Sequence, residues 1–126
     1  MAQDLAGLKA AVLKALDDLK AIDVTVLDVS ALTSLTSLMV VATGTSNRHV
    51  RAIAEAARDA AKTAGYPVLG VEGEAGAEWV LVDLVELVLH VMLPATRALY
   101  RLEDLWSARP GRGETPTQSE RTGDSA

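Results

Sequence analysis

The chain has no cysteine and no phenylalanine, and aromatic residues make up only 3% of it. Without thiols there is no disulfide scaffold, no thiolate metal site and no Cys nucleophile. With so few rings the core must be built from Ala, Val and Leu, which leaves the two Trp and two Tyr as the bulky anchors. Basic residues are scarce as well: twelve Lys and Arg face seventeen Asp and Glu, for a net charge of −5 and a pI near 4.9. That excludes the broad basic surface needed to hold nucleic acid by its phosphates. Long apolar runs are missing too. The longest, Trp79 to Leu93, is broken by Asp83, Glu86 and His90 and falls short of the roughly 20 apolar residues that span a bilayer. Met1-Ala2-Gln3-Asp4 lacks the basic start and apolar core of a secretory signal. The expectation is a soluble cytoplasmic protein that touches no membrane.

At 126 residues the chain suffices for one domain and not comfortably for two. Composition changes after Trp106. Ser107 to Ala126 holds two of the four prolines and three of the nine glycines, with no Val, Leu or Ile. Such a segment buries too little apolar surface to offset its ordering entropy, so 1–106 is expected to fold and 107–126 to form a disordered polar tail. The tail's charges cancel, so the acidic excess belongs to 1–106. It is concentrated further. From Thr63 to Thr96 there is no Lys or Arg, while Glu72, Glu74, Glu78, Asp83 and Glu86 are all acidic. This stretch is either a solvated acidic loop or the footprint of a basic partner.

Leu5, Leu8, Val12, Leu16 and Leu19 recur every three or four residues and predict an amphipathic helix over the first twenty residues. The β-branched run Val24–Val29 predicts a strand, and a Ser/Thr/Leu connector leads to the apolar run Leu38–Ala42, suited to a central strand. Ser46 is placed to cap a helix that ends before Gly65. Pro67–Val71 predicts a third strand, Trp79–Leu84 and Leu87–Met92 two more, and Pro94 opens a last helix ending near Trp106. The order is α-β-β-α-β-β-β-α, a mixed five-stranded α/β sheet with packed helices.

A hairpin turning at Val85-Glu86 would set Leu84 opposite Leu87, Val82 opposite Leu89 and Val80 opposite Val91. Period-two alternation puts these six on one aliphatic face. The other face gathers Trp79, Leu81 and Asp83 beside Val88, His90 and Met92. Either a helix covers that face, or it stays partly exposed as a docking patch, with Trp the favoured anchor.

Catalytic patterns are weak. Thr43-Gly44-Thr45-Ser46, between strand and helix, is a place where an anion can meet free N–H groups, with Arg48 and His49 close by. The Lys of a phosphate-binding loop is absent, and a capped helix start explains the same residues. His49 and His90 are the only histidines and share no ligand spacing, so neither a metal nor another cofactor is expected. No nucleophile elbow is present.

Leu38-Met-Val-Val-Ala-Thr-Gly-Thr-Ser-Asn-Arg-His-Val50 resembles the strand–turn–helix signature of the ribosomal silencing factor family, also called RsfS or Iojap-like. Gly70-Val-Glu-Gly73, Trp79-Val-Leu-Val-Asp83 with His90-Val91, and Arg97-Ala-Leu-Tyr100 through Trp106 resemble it in the same order, covering nearly all of 1–106. The chain departs from that pattern at Thr36-Ser37, where the family usually has an Asp, and at Val85-Glu86, where it commonly has Gly-Asp. A β-branched Val resists positive φ, which argues for a wider loop than a two-residue turn.

The resemblance implies a nucleotidyltransferase-like fold without that class's catalytic acids. It also implies a translational repressor that binds the large ribosomal subunit through its ribosomal protein numbered fourteen and sterically blocks the small subunit. The resemblance carries the binding role onto Trp79, Asp83 and His90, and charge and proximity add Glu72 and Glu78; on that face Trp79, Leu81 and Met92 would supply apolar anchoring. Glu72, Glu78 and Asp83 would meet basic side chains, and His90 would make a polar contact. Two other readings stand beside it: a nucleotide-binding enzyme using Thr43, Gly44, Ser46 and Arg48, and a homodimeric adaptor, which the resemblance also allows as a resting state.

Overall fold

A computed structural model describes residues 4–101. The tail from 107, and the part of the last helix beyond 101, lie outside the described residues. Helix α1 (Leu5–Asp18) buries Leu8, Val12, Ala15 and Leu16, the apolar stripe of its sequence. It is followed by β1 (Ile22–Asp28), β2 (Leu38–Thr43), α2 (Asn47–Thr63), β3 (Gly70–Glu72), β4 (Trp79–Asp83), β5 (Leu87–Met92) and α3 (Pro94–Tyr100).

Both long helices end in the same way. In α1 the Lys20 N–H reaches Asp17 O and the Ala21 N–H reaches Leu16 O; in α2 Gly65 reaches Lys62 O and Tyr66 reaches Ala61 O. This double bond pattern satisfies the last carbonyls and needs a left-handed residue at the turn. Lys20 (φ 62°) and Gly65 (φ 93°) supply it. Ser46 caps α2 as the sequence predicts, its Oγ accepting from the His49 N–H at 3.0 Å.

The five strands form one mixed sheet in the order β1-β2-β5-β4-β3. Only β2 and β5 run parallel, with Leu38 opposite Leu87 and Val40 opposite Leu89. All six residues of β2 are buried, as a continuous apolar run at the centre of a sheet requires. Helices α1 and α2 cover one face. Leu8, Val12, Leu16, Val50, Ile53, Ala54 and Ala57 pack there on Val40, Ala42, Val80, Val82, Leu89 and Val91, all part of one core. Each fully buried Val or Leu stabilises the fold by roughly 1.5–3 kcal/mol relative to its exposed state.

The hairpin register is the expected one: Val80 faces Val91 and Val82 faces Leu89. The expected wider loop does not form. The Leu84 N–H bonds Leu87 O and the Glu86 N–H bonds Leu84 O, both at 2.9 Å, so Val85 sits at the centre of a tight turn with φ 73°. That is the strained, positive-φ γ-turn, uncommon for any β-branched residue. Its neighbours enforce it. Asp83 Oδ1 accepts the Val85 N–H at 2.9 Å, and Ser37 Oγ donates to Glu86 Oε1 at 2.7 Å. The two departures from the family pattern thus hydrogen-bond to each other.

The third strand differs from expectation, occupying 70–72 rather than 67–71. The Leu69 N–H still reaches Asp83 O at 2.8 Å, but Pro67 has no N–H with which to extend the ladder.

Candidate partner-binding face

The sheet face away from α1 and α2 is partly covered. Val29, Met39, Val41 and Met92 form a second, smaller core there, with Leu27 and Trp79 packed against it. Met92 is fully buried and His90 only 6% exposed. Neither is presented at the surface, which corrects the expectation of Met92 as an apolar anchor and His90 as a polar contact. The cause is long-range: β2 lies beside β5, so Met39 and Val41 flank His90 and Met92.

His90 instead orients the indole. Trp79 Nε1 donates to His90 Nδ1 at 2.9 Å, which leaves the imidazole proton on Nε2 and the ring neutral. Burial holds the His90 pKa down at about 4. On its other side Trp79 meets Tyr100 of α3, the ring centroids 4.9 Å apart and tilted by 47°. Tyr100 is absent from the sequence-derived site. Its signal was only an aromatic at the end of a short helix, and nothing local says that this helix folds back over β4.

Arg97 anchors α3. Its guanidinium donates to Thr43 Oγ1 at 2.9 Å, Thr25 Oγ1 at 3.0 Å and Asp23 O, spanning β1 and β2. The planar fork reaches several acceptors at once, which a Lys cannot do.

Trp79, Leu81, Glu72 and Gly73 line a shallow recess of about 260 Å³ at the β3–β4 edge. Gly73 is required there. Its φ is +91°, and a Cβ at this position would sit 2.2 Å from Trp79 O. The acidic loop leading to Trp79 is held rather than loose: Asn47 Nδ2 donates to Gly76 O at 3.0 Å and Arg51 Nε to Glu74 O at 3.2 Å. Glu72 lines the recess and is exposed, Glu78 is exposed next to Trp79 in the chain, and Trp79 and Leu81 are partly buried. Asp83 lies four residues further along β4, about 13 Å away at the rise of a strand, and its Oδ1 serves the turn at Val85. The structure therefore gathers Glu72, Trp79 and Leu81 around the recess, leaves Glu78 as the exposed residue preceding Trp79, and sets Asp83 apart.

All five strands fall within 21–47 and 63–96, neither of which contains a Lys or Arg. The strands therefore contribute carboxylates and no Lys or Arg, and the guanidinium of Arg97 reaches the sheet only from α3.

The 43–48 turn is closed on itself. Thr43 is buried with its hydroxyl engaged by Arg97, and the Gly44 N–H bonds Met92 O at 3.0 Å. The Thr45 N–H goes to His49 Nδ1 at 2.9 Å, while His49 Nε2 lies 2.7 Å from Leu19 O. Gly44 is packed hard, a Cβ meeting Val50 atoms at 2.8 Å. Ser46 Oγ serves the helix cap and Arg48 is exposed. Among the described residues no group of three or more His, Asp or Glu is placed to hold a metal ion, and no helix is long and apolar enough to cross a membrane.

Known proteins resemble the chain over most of its length. It is 48% identical over 97 residues to ribosomal silencing factor RsfS of Chromobacterium violaceum, covering 77% of this chain and 80% of that protein. It is 39% identical over 95 residues to the RsfS of Haemophilus influenzae, covering 75% and 93%. A crystal structure of a Chromobacterium violaceum protein superposes with a TM-score of 0.81 at 43% identity, covering 91% of this chain and 92% of that one. The family model described as "Ribosomal silencing factor during starvation" matches residues 2–126. The chain belongs to the ribosomal silencing factor family.

Proposed function

We propose that this chain is a non-enzymatic repressor of translation, acting in the cytoplasm. It binds the large ribosomal subunit through the ribosomal protein numbered fourteen and sterically blocks the small subunit. The observation that carries this reading is the partly buried Trp79, held by a buried His90 and lining a recess with the exposed Glu72, on a sheet without a Lys or Arg. An indole in a shallow recess with a carboxylate beside it suits a basic protein surface with an apolar centre. Ribosomal proteins carry such basic surfaces because they must hold RNA phosphates. A working interface would bury on the order of 1,200–2,000 Å² in total, larger than the recess itself, with Leu81 and Tyr100 extending the contact.

The test is co-sedimentation of the chain with purified large and small subunits across a salt series. Pelleting with the large subunit alone, weakening as salt rises, is the expected result. Equal binding to both subunits, or binding indifferent to salt, overturns it. The nucleotide-handling alternative has no observation in its favour, since the Gly44 and Thr45 N–H groups of the turn it would use are already bonded to Met92 O and His49 Nδ1.

A further inference from the structure

We infer that the end of the sheet remote from Trp79 is a second docking surface, and that its occupant is a polypeptide segment both basic and apolar. This goes beyond the proposed function and does not depend on it.

Three connections meet at that end. The Ser37 and Leu38 N–H groups both reach Glu86 O at 3.1 Å, and the Leu69 N–H reaches Asp83 O at 2.8 Å. The β1–β2 connection, the β4–β5 turn and the approach to β3 are therefore joined in one seam. Along it the chain exposes Leu35 (87%), Leu69 (71%), Leu32 and Val85. A single exposed Leu is ordinary, but four large exposed apolar residues share this one end of the sheet.

Val85 adds a second observation. Its φ of 73° is one that Gly adopts freely and Val resists. The fold gains little from a Val side chain left at the surface, yet it tolerates the strain. Such strain concentrates where a side chain serves a partner.

Charge selects the occupant. Asp28, Asp83 and Glu86 stand on the same seam, and no Lys or Arg occurs within 21–47 or 63–96. RNA and anionic lipid are repelled by this field, and a second copy would bring carboxylate against carboxylate. A cationic segment carrying apolar side chains satisfies both components of the surface.

The test is NMR on the isotope-labelled full chain, titrated with a short synthetic peptide of Lys and Leu. Peptides of Glu and Leu, and of Lys and Ser, serve as controls, together with a single-stranded RNA oligonucleotide. The Lys/Leu peptide should shift resonances of residues 32–38, 69 and 83–87, whether or not it also moves 79–81, and bind there more tightly than every control. Val85→Gly should raise Tm, because the turn relaxes, while weakening the peptide about tenfold. Leu35→Ser combined with Leu69→Ser should weaken it similarly. Four results overturn the inference: no binding, shifts confined to the Trp79 recess, Val85→Gly binding at the seam as tightly as the parent, or the same resonances moving with RNA or with chain concentration alone.

Discussion

Trp79 Nε1 donates to the Nδ1 of His90 across the β4–β5 pair at 2.9 Å, and this bond joins the partly exposed rim of that face to its buried part. The donor is partly buried against the smaller core, and the acceptor is 6% exposed. An indole held in this way is pre-oriented, which lowers the ordering cost of binding.

The burial of His90 makes stability depend on pH. The imidazole of an unfolded chain takes its proton near 6.5, while burial holds folded His90 at about 4. Between these values the unfolded state binds more protons, so the stabilisation is complete above pH 6.5 and is lost as pH falls towards 4. The loss approaches about 3 kcal/mol. Urea unfolding at stepped pH measures it, and His90→Gln, which keeps an acceptor and does not titrate, should flatten the slope.

Two substitutions at Trp79 separate binding from folding. Trp79→Ala should cost more than about 2 kcal/mol of large-subunit affinity and keep a cooperative thermal transition, because the main core does not include this residue. Trp79→Phe retains a ring beside Tyr100 but strands the buried His90 Nδ1, at a cost of about 1–2 kcal/mol in stability. Loss of the transition in Trp79→Ala would assign the indole to the fold instead.

Gly73 and Gly65 form a matched pair. Both have φ near +90°, but a Cβ at Gly73 would meet Trp79 O at 2.2 Å, while nothing lies within 4 Å of one at Gly65. Gly65→Ala should cost about 1 kcal/mol, from the backbone alone. Gly73→Ala should cost more than about 2 kcal/mol and displace the indole, which Trp79 fluorescence in a Trp106→Phe background would register.

Arg97→Lys keeps the charge and removes the fork. Thr25 and Thr43 then lose one donor or both, and α3 should loosen by about 1 kcal/mol. Faster amide exchange over 94–100, with the sheet unchanged, is the expected signature. Unaltered exchange there would show that α3 is held by other contacts.

Much of this was written locally. The order of elements, the α2 cap at Ser46, the facing of Val80 with Val91 and the isolation of acidic charge around Trp79 all follow from spacing and side-chain type, because helix and strand periodicity act over a few residues. Alternation separates two faces of a hairpin, but it does not say what covers either of them. That was decided when β5 settled beside β2 rather than beside β4 alone. Met39 and Val41 then closed over Met92 and His90, turning an expected contact into an orienting acceptor. The return of α3, which laid Tyr100 against Trp79, and the bond between Ser37 and Glu86 that helps hold Val85 at positive φ, join positions far apart in the chain. Such pairings rest on burial and hydrogen bonding that exist only once the whole sheet is assembled.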